Sequence, residues 1–195
     1  MASPDALPGD DAVSQESRFT PDQVGAAMAT LKAAGDSGAS WFFWIAGLSL
    51  VNSAISHFGG EVHFIVGLAV TAIVDAIASE VGQAEPGLAT AFKMIAIGIS
   101  VVVAAASIGF GLLAMKRFLW IFAAGMFLYL LDGLIYLAFG DLLSAAFHGY
   151  ALYCMLLGFN AYRQLNKLEA ALASATETDD EADLRSDQEI SFETP

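Results

Sequence analysis

Five apolar stretches, separated by short polar or glycine-rich breaks, dominate the middle of the chain. They cover residues 41–58, 62–78, 89–115, 118–139 and 142–162. Even the eighteen residues of the first stretch would extend about 27 Å as an α-helix, which matches a thin hydrocarbon core. The pattern predicts an all-α fold, a polytopic helical membrane bundle of four or five hydrophobic helices.

The second stretch leaves the number of crossings open. Its uncharged run of thirteen residues ends at Val74, because Asp75 follows, and that length is typical of a re-entrant or buried helix. Extending the helix through Asp75 gives a span if the carboxyl group faces the protein interior. Charge counting favours four crossings, whereas hydrophobicity favours five.

Residues 20–40 predict an amphipathic helix followed by a hinge. Thr20 is a typical N-cap, Pro21 suits the first helical position, and Gln23 completes a capping box. The apolar residues that follow share one helical face: Val24, Ala27, Met28 and Leu31. Gly35 to Ser40 is the predicted hinge.

The other segments complete the expected domain organisation. Residues 1–19 contain little that can be buried and predict a disordered N-terminal tail. The transmembrane helical domain is expected to cover 41–162, with a cytoplasmic helix extension at 163–174. Residues 175–195 predict a disordered acidic tail.

Charge narrows the range of partners. The chain carries a net charge of −13, and residues 176–195 alone hold eight acidic side chains. Phosphate binding depends on clustered Lys and Arg, so nucleic acid is not an expected partner. The expected partner is the lipid bilayer, together with other membrane chains in a homo-oligomer or a larger complex.

The basic residues near the apolar stretches predict an orientation. Lys116 and Arg117 precede the fourth stretch, whereas Arg163 and Lys167 follow the fifth. Two helices separate the pairs, so all four side chains lie on one side, and enrichment in Lys and Arg predicts that this side is cytoplasmic. We therefore expect a multi-pass protein of the plasma or inner membrane with a cytoplasmic C-terminus. The side of the N-terminus depends on the number of crossings.

A polar stripe runs along the first apolar helix. Its members fall at i, i+3, i+4 and i+7: Ser49, Asn52, Ser53 and Ser56. In lipid such a stripe must face protein or a water-lined path. It therefore predicts either hydrogen bonds between helices or a path for a solute or ion.

Three ionisable residues fall inside the apolar stretches: Asp75, Asp132 and His148. Ionisable groups within a bilayer are costly and mark candidate functional sites. Asp132 and His148 lie at equal distances from the turn at 139–141, about 10 Å below it. Because the fourth and fifth helices pack antiparallel, we expect an Asp132–His148 hydrogen bond, which suits a metal ligand, a proton relay or a buried structural pair.

A second group of candidate ligands lies at the first break. His57, Glu61 and His63 surround Gly59-Gly60, but their spacing is not the H-E-x-x-H that puts two histidines on one helical face. With four crossings this group would join His148 and Asp132 on the outer side and could form a metal site. With five crossings the distance excludes it.

No motif identifies a reaction, and the cofactor is unknown. The sequence contains no phosphate-binding loop, dinucleotide-binding loop or haem-attachment motif. The main hypothesis is a non-enzymatic accessory, scaffold or interaction subunit. The alternatives are a small transporter, channel or proton-coupled component that uses buried carboxylates and, third, a metal-dependent membrane hydrolase.

Overall fold

The computed structural model describes residues 20–57 and 67–192, with side chains described for 20–55 and 67–178. This part of the chain is all-helical, as predicted. It forms five α-helices: α1 (Pro21–His57), α2 (Ala69–Ala84), α3 (Ala89–Met115), α4 (Leu119–Ala138) and α5 (Leu142–Phe192).

Four of these helices, α1, α3, α4 and α5, are long and apolar enough to cross a membrane. The mean hydropathy reaches 2.3 in α3 and 1.9 in α4. Many large apolar side chains are exposed on their outer faces, as in Val102, Leu128 and Leu157. Exposed apolar surface of this extent is typical of a face that contacts lipid, and the chain has the architecture of a multi-pass membrane protein.

The four long helices run alternately up and down. Ser53 of α1 bonds Ser100 of α3, whereas Phe42 lies beside Gly111, so α1 and α3 are antiparallel. Gly38 of α1 likewise approaches Gly158 of α5. We call the side where α1 begins and α5 leaves the bundle the termini side, and the side of the Gly140 turn the turn side.

The start of α1 confirms the predicted capping box. The Thr20 hydroxyl accepts a hydrogen bond from the Gln23 amide at 3.3 Å, and the Gln23 side chain accepts one from the Thr20 amide at 2.9 Å. This reciprocal pair satisfies two amides that a helix start otherwise leaves without partners.

The predicted hinge at 35–40 was wrong, because α1 continues through it as one helix of 37 residues. Its two glycines serve helix packing. A Cβ at Gly38 would lie 2.5 Å from the Cα of Gly158, and one at Gly35 would collide with the Tyr162 ring. Tyr162 also donates a hydrogen bond to Asp36 at 2.5 Å. The amphipathic segment is thus the first part of α1, docked on α5.

The predicted end of helix at residue 174 was also wrong, because the backbone of α5 stays helical to Phe192. No Gly or Pro occurs between Phe159 and Phe192. Those two residue types are the strongest local helix breakers, so the high polarity of this segment does not by itself end the helix.

The second apolar stretch forms a helix only from Ala69 to Ala84, whereas the prediction was 62–78; residues 58–66 lie outside the described part. Sixteen residues give a length of about 24 Å. Its start lies beside Ser49 and Asp132, in the interior of the bundle. Its end meets the start of α3, since a Cβ at Gly82 would lie 3.2 Å from the Ala89 Cβ.

This arrangement favours the scheme with four crossings for the described helices. The end of α2 lies on the turn side, where α1 also ends, so α2 does not add a crossing. Four helices are long and apolar enough to cross, and α2 occupies the turn-side part of the bundle. The start of α1 and the continuation of α5 therefore lie on the same side.

Candidate functional site

The start of α2 has no capping side chain of its own. The residue before it is Leu68, which offers no side-chain hydrogen bond. The amides of a first helical turn lack partners within the helix, and in lipid an unpaired amide is costly. An acceptor must therefore come from another part of the bundle.

Asp132 of α4 supplies that acceptor. Its Oδ2 accepts the Ala69 amide at 2.8 Å, and its Oδ1 accepts the Val70 amide at 3.0 Å. A carboxylate also suits this place electrostatically, because the start of a helix carries a partial positive charge. Asp132 thus acts as an N-cap across helices, and its side chain is buried.

Two further hydrogen bonds hold the chain as it enters α2. The Leu68 amide donates to the Ser49 hydroxyl at 2.9 Å. The Tyr136 hydroxyl donates to the Gly67 carbonyl at 3.2 Å. Side chains of α1 and α4 therefore fix the segment just before α2 as well as its first turn.

The predicted contact between Asp132 and His148 is present. His148 Nε2 lies 3.0 Å from Asp132 Oδ2, and Nδ1 lies 2.8 Å from the Ser144 carbonyl oxygen. Gly133 permits this approach of α4 and α5, because a Cβ there would lie 2.8 Å from the His148 Cβ. His148 is only 2 % exposed.

These partners restrict the orientation of the imidazole. The Ser144 carbonyl only accepts, so His148 Nδ1 donates to it. Nε2 then faces Asp132 Oδ2, and this contact joins the imidazole to the carboxyl group that caps α2.

Two tyrosines of α4 enclose the imidazole. The Tyr129 ring stacks on His148 with a centroid distance of 4.4 Å and an interplanar angle of 20°. The Tyr136 ring lies at 5.2 Å and 49°. The imidazole is therefore packed against two aromatic rings of α4.

The polar stripe of α1 faces the protein. Ser49, Asn52 and Ser53 are buried, and the Ser53 hydroxyl donates to the Ser100 hydroxyl at 3.1 Å. The stripe therefore connects helices in the described structure. The side chain of Ser56 lies outside the described part.

Asp75 does not join the Asp132–His148 pair. It is buried on α2, six residues after Ala69 and therefore about 9 Å further along the helix axis. It faces the bundle, as the hypothesis of a buried carboxylate required.

The metal hypothesis finds no ligand set within the described residues. No group of three His, Cys, Asp or Glu side chains is close enough there to hold an ion. Its other candidates, the side chain of His57 and residues Glu61 and His63, lie outside the described part.

The main feature that sequence reasoning missed is the target of Asp132, namely the amides of Ala69 and Val70. One signal was present in the sequence. Gly67 and Leu68 precede α2, and neither residue carries a side chain that can cap a helix. A helix start without a local cap, buried in a membrane domain, requires an acceptor from a distant residue.

The chain matches no protein-family model, and comparisons with curated proteins and with solved structures found no similar protein.

Proposed function

We propose that this chain is a non-enzymatic, multi-pass membrane protein that acts as an accessory or interaction subunit. One observation carries the proposal: Asp132 and Ser49 accept hydrogen bonds from the start of α2, and His148 contacts Asp132. These three polar side chains thus have a structural task.

Catalysis or ion binding would need a group with a free position. The Asp132 carboxylate accepts two amides and contacts His148, and both ring nitrogens of His148 have oxygen partners. Both side chains are buried, and the rings of Tyr129 and Tyr136 pack on His148. A substrate would have to displace these contacts before it reached either group.

The basic side chains support an orientation for this subunit. Arg117, at the corner between α3 and α4, pairs with Glu169 of α5 at 2.7 Å on the termini side. Lys116, Arg163 and Lys167 lie near the same side, which by enrichment in Lys and Arg is cytoplasmic. In this orientation the protein lies in the plasma or inner membrane. The start of α1 and the continuation of α5 both face the cytoplasm.

One observation favours a second function, a proton-coupled membrane component. The Asp132–His148 contact places a carboxyl group and an imidazole within hydrogen-bond distance inside the bundle. The exposed Asp141 accepts a hydrogen bond from the buried Ser144 hydroxyl at 2.6 Å, one helical turn from His148. Chains of Asp, His and hydroxyl groups are the usual elements of proton relays in membranes.

Proton flux distinguishes the two functions. The purified protein would be reconstituted into liposomes that enclose a pH-sensitive dye, and a potassium diffusion potential would drive protons inward. For the subunit we expect the same acidification rate as in protein-free liposomes. A faster rate that Asp132→Asn abolishes, while the lipid-facing Leu134→Ala retains it, would overturn the subunit proposal in favour of the proton-coupled one.

The subunit role also predicts an assembly. After extraction from its native membrane in a mild detergent, the chain should migrate on native gels as a complex larger than one copy in its detergent micelle. Migration as a single copy, together with absence of flux, would contradict both functions.

A further inference from the structure

α2 fills only half of the space that a fifth helix would occupy. It packs between α3 and α4 in the turn-side half of the bundle, beginning at the level of Asp132. Between the start of α2 and the termini side, the space between α3 and α4 is a cavity of about 370 Å³, whose lining on α4 reaches from Gly125 to Ile135. Phe42 and Ile45 of α1 form its floor, and Leu68 and Val70 at the start of α2 close its inner end.

The cavity runs along α3 and α4. Its lining extends over residues 102–110 of α3 and 125–135 of α4, so at 1.5 Å per residue it is about 12–15 Å long. A groove of this length suits one extended, unbranched chain.

The lining offers little hydrogen bonding. The Asp132 oxygens are engaged by α2 and His148, and the Ser107 hydroxyl donates to the Val103 carbonyl at 3.0 Å. Tyr129 stacks its ring on His148 and contributes one hydroxyl to the lining, and the other lining residues are apolar. Water or a polar head group would lose its hydrogen bonds here, so the chemistry of the lining selects an apolar occupant.

The rim of the cavity lies on the lipid-facing surface. Val102 on α3 is 68 % exposed and Leu128 on α4 is 53 % exposed, and both line the cavity. The groove therefore opens sideways between two membrane-crossing helices. It ends in the interior of the bundle, where α2 begins.

We propose that this groove binds one acyl chain of a lipid from the termini-side leaflet. The acyl chain occupies the space that the other half of a fifth helix would fill, and the end of the acyl chain contacts Leu68 and Val70. This assignment rests on the groove itself and holds for either function considered above. The lipid head group stays at the termini-side surface, outside the apolar part of the groove.

Photolabelling tests the site. The protein would be reconstituted into phosphatidylglycerol–phosphatidylethanolamine vesicles that contain a phospholipid with a diazirine at mid-chain, irradiated, digested and mapped by mass spectrometry. We expect stronger labelling at Val102 and Leu128 than at Val101, which is similarly exposed but lies outside the lining. Equal labelling of all exposed apolar positions would overturn the proposal.

Two neighbouring alanines of α3 give a matched pair of variants. Ala105 and Ala106 are both exposed, but only Ala106 lines the groove. Ala106→Phe should fill the groove and reduce the labelling at Leu128 to the level of Val101, whereas Ala105→Phe should leave it unchanged. Circular dichroism and gel filtration would establish folding, and Ala106→Leu would replace a variant that fails to fold. Undiminished labelling at Leu128 in a folded, groove-filled variant would contradict the proposal.

Discussion

The two halves of the bundle are held together by different interactions. In the turn-side half, hydrogen bonds join Asp132 and Ser49 to the start of α2, and His148 contacts Asp132. In the termini-side half, α1 and α5 meet through Gly38 and Gly158, and aromatic rings of Phe42, Phe122 and Tyr162 pack in the core.

The difference follows from the backbone that each half contains. A continuous membrane helix satisfies its own amides and carbonyls along its length, so the termini-side half can be held by shape and apolar contact. A helix that begins inside the bilayer exposes its first amides to an apolar medium. The polar side chains are concentrated beside the first amides of α2, which have no partners within their own helix.

The largest expected effect is from Asp132→Ala. It removes the acceptor of the Ala69 and Val70 amides and leaves the buried His148 without its partner. Breaking a buried pair costs about 3–5 kcal/mol, so we expect the variant to lose most of its stability. The measurement is the free energy of unfolding in detergent, with the lipid-facing Leu134→Ala as control. A loss no greater than that of the control would show that the turn-side half does not depend on this carboxylate.

The second-largest effect is expected from Gly38→Ala, which tests the close packing of α1 and α5 in the termini-side half. A Cβ there would lie 2.5 Å from the Cα of Gly158 and 3.2 Å from the Cys154 carbonyl oxygen, so α1 and α5 must separate. Overpacking of this kind costs about 1–3 kcal/mol. Gly47→Ala is the matched control, because a Cβ at Gly47 meets nothing within 4 Å. Equal melting temperatures for the two variants would contradict the close approach.

A smaller effect is expected at the hydrogen bond between Ser53 and Ser100. Hydrogen bonds between membrane helices contribute about 0.6 kcal/mol on average, because the alternative partners in the unfolded state are also good. A double-mutant cycle of Ser53→Ala and Ser100→Ala should give a coupling energy of that size. A coupling several times larger would mean that the polar stripe of α1 does more than join α1 to α3.

The smallest effect is expected at the exposed start of α5. The Ser144 hydroxyl and amide donate to the Asp141 carboxylate at 2.6 and 3.1 Å, and these bonds lower the pKa of Asp141 below its usual 3.8. Stability from this cap is therefore complete above that value and is lost as the pH falls through the lowered pKa. Asp141→Asn should be nearly neutral at pH 7, since both residues cap well. Melting temperatures measured against pH should show a shallower acid decline in the variant; parallel curves would remove Asp141 from the acid response.

Several features of the candidate site could be predicted from particular residues. The equal spacing of Asp132 and His148 from the Gly140 turn predicted their contact, because a tight turn fixes the register of two antiparallel helices. The stripe of Ser49, Asn52 and Ser53 predicted a buried face on α1. Spacing along one helix and register across a tight turn are local properties, so a single sequence contains them.

The error at the predicted hinge has its origin in the tertiary structure. The glycines of the predicted hinge lie in an unbroken helix, because close approach to α5 uses the same lack of a side chain that a hinge would use. Which of the two applies depends on a helix more than a hundred residues away in the sequence.

The sequence by itself determined that the chain is helical, that its middle belongs in a membrane, and where the long helices begin, because apolar length and capping residues act locally. Only the tertiary structure decided that α2 begins inside the bundle, that Asp132 caps it, and that a groove remains beside α3 and α4. Each of these features depends on which helices are neighbours. Hydrogen bonds between distant parts of the chain produce no regular residue spacing in the sequence.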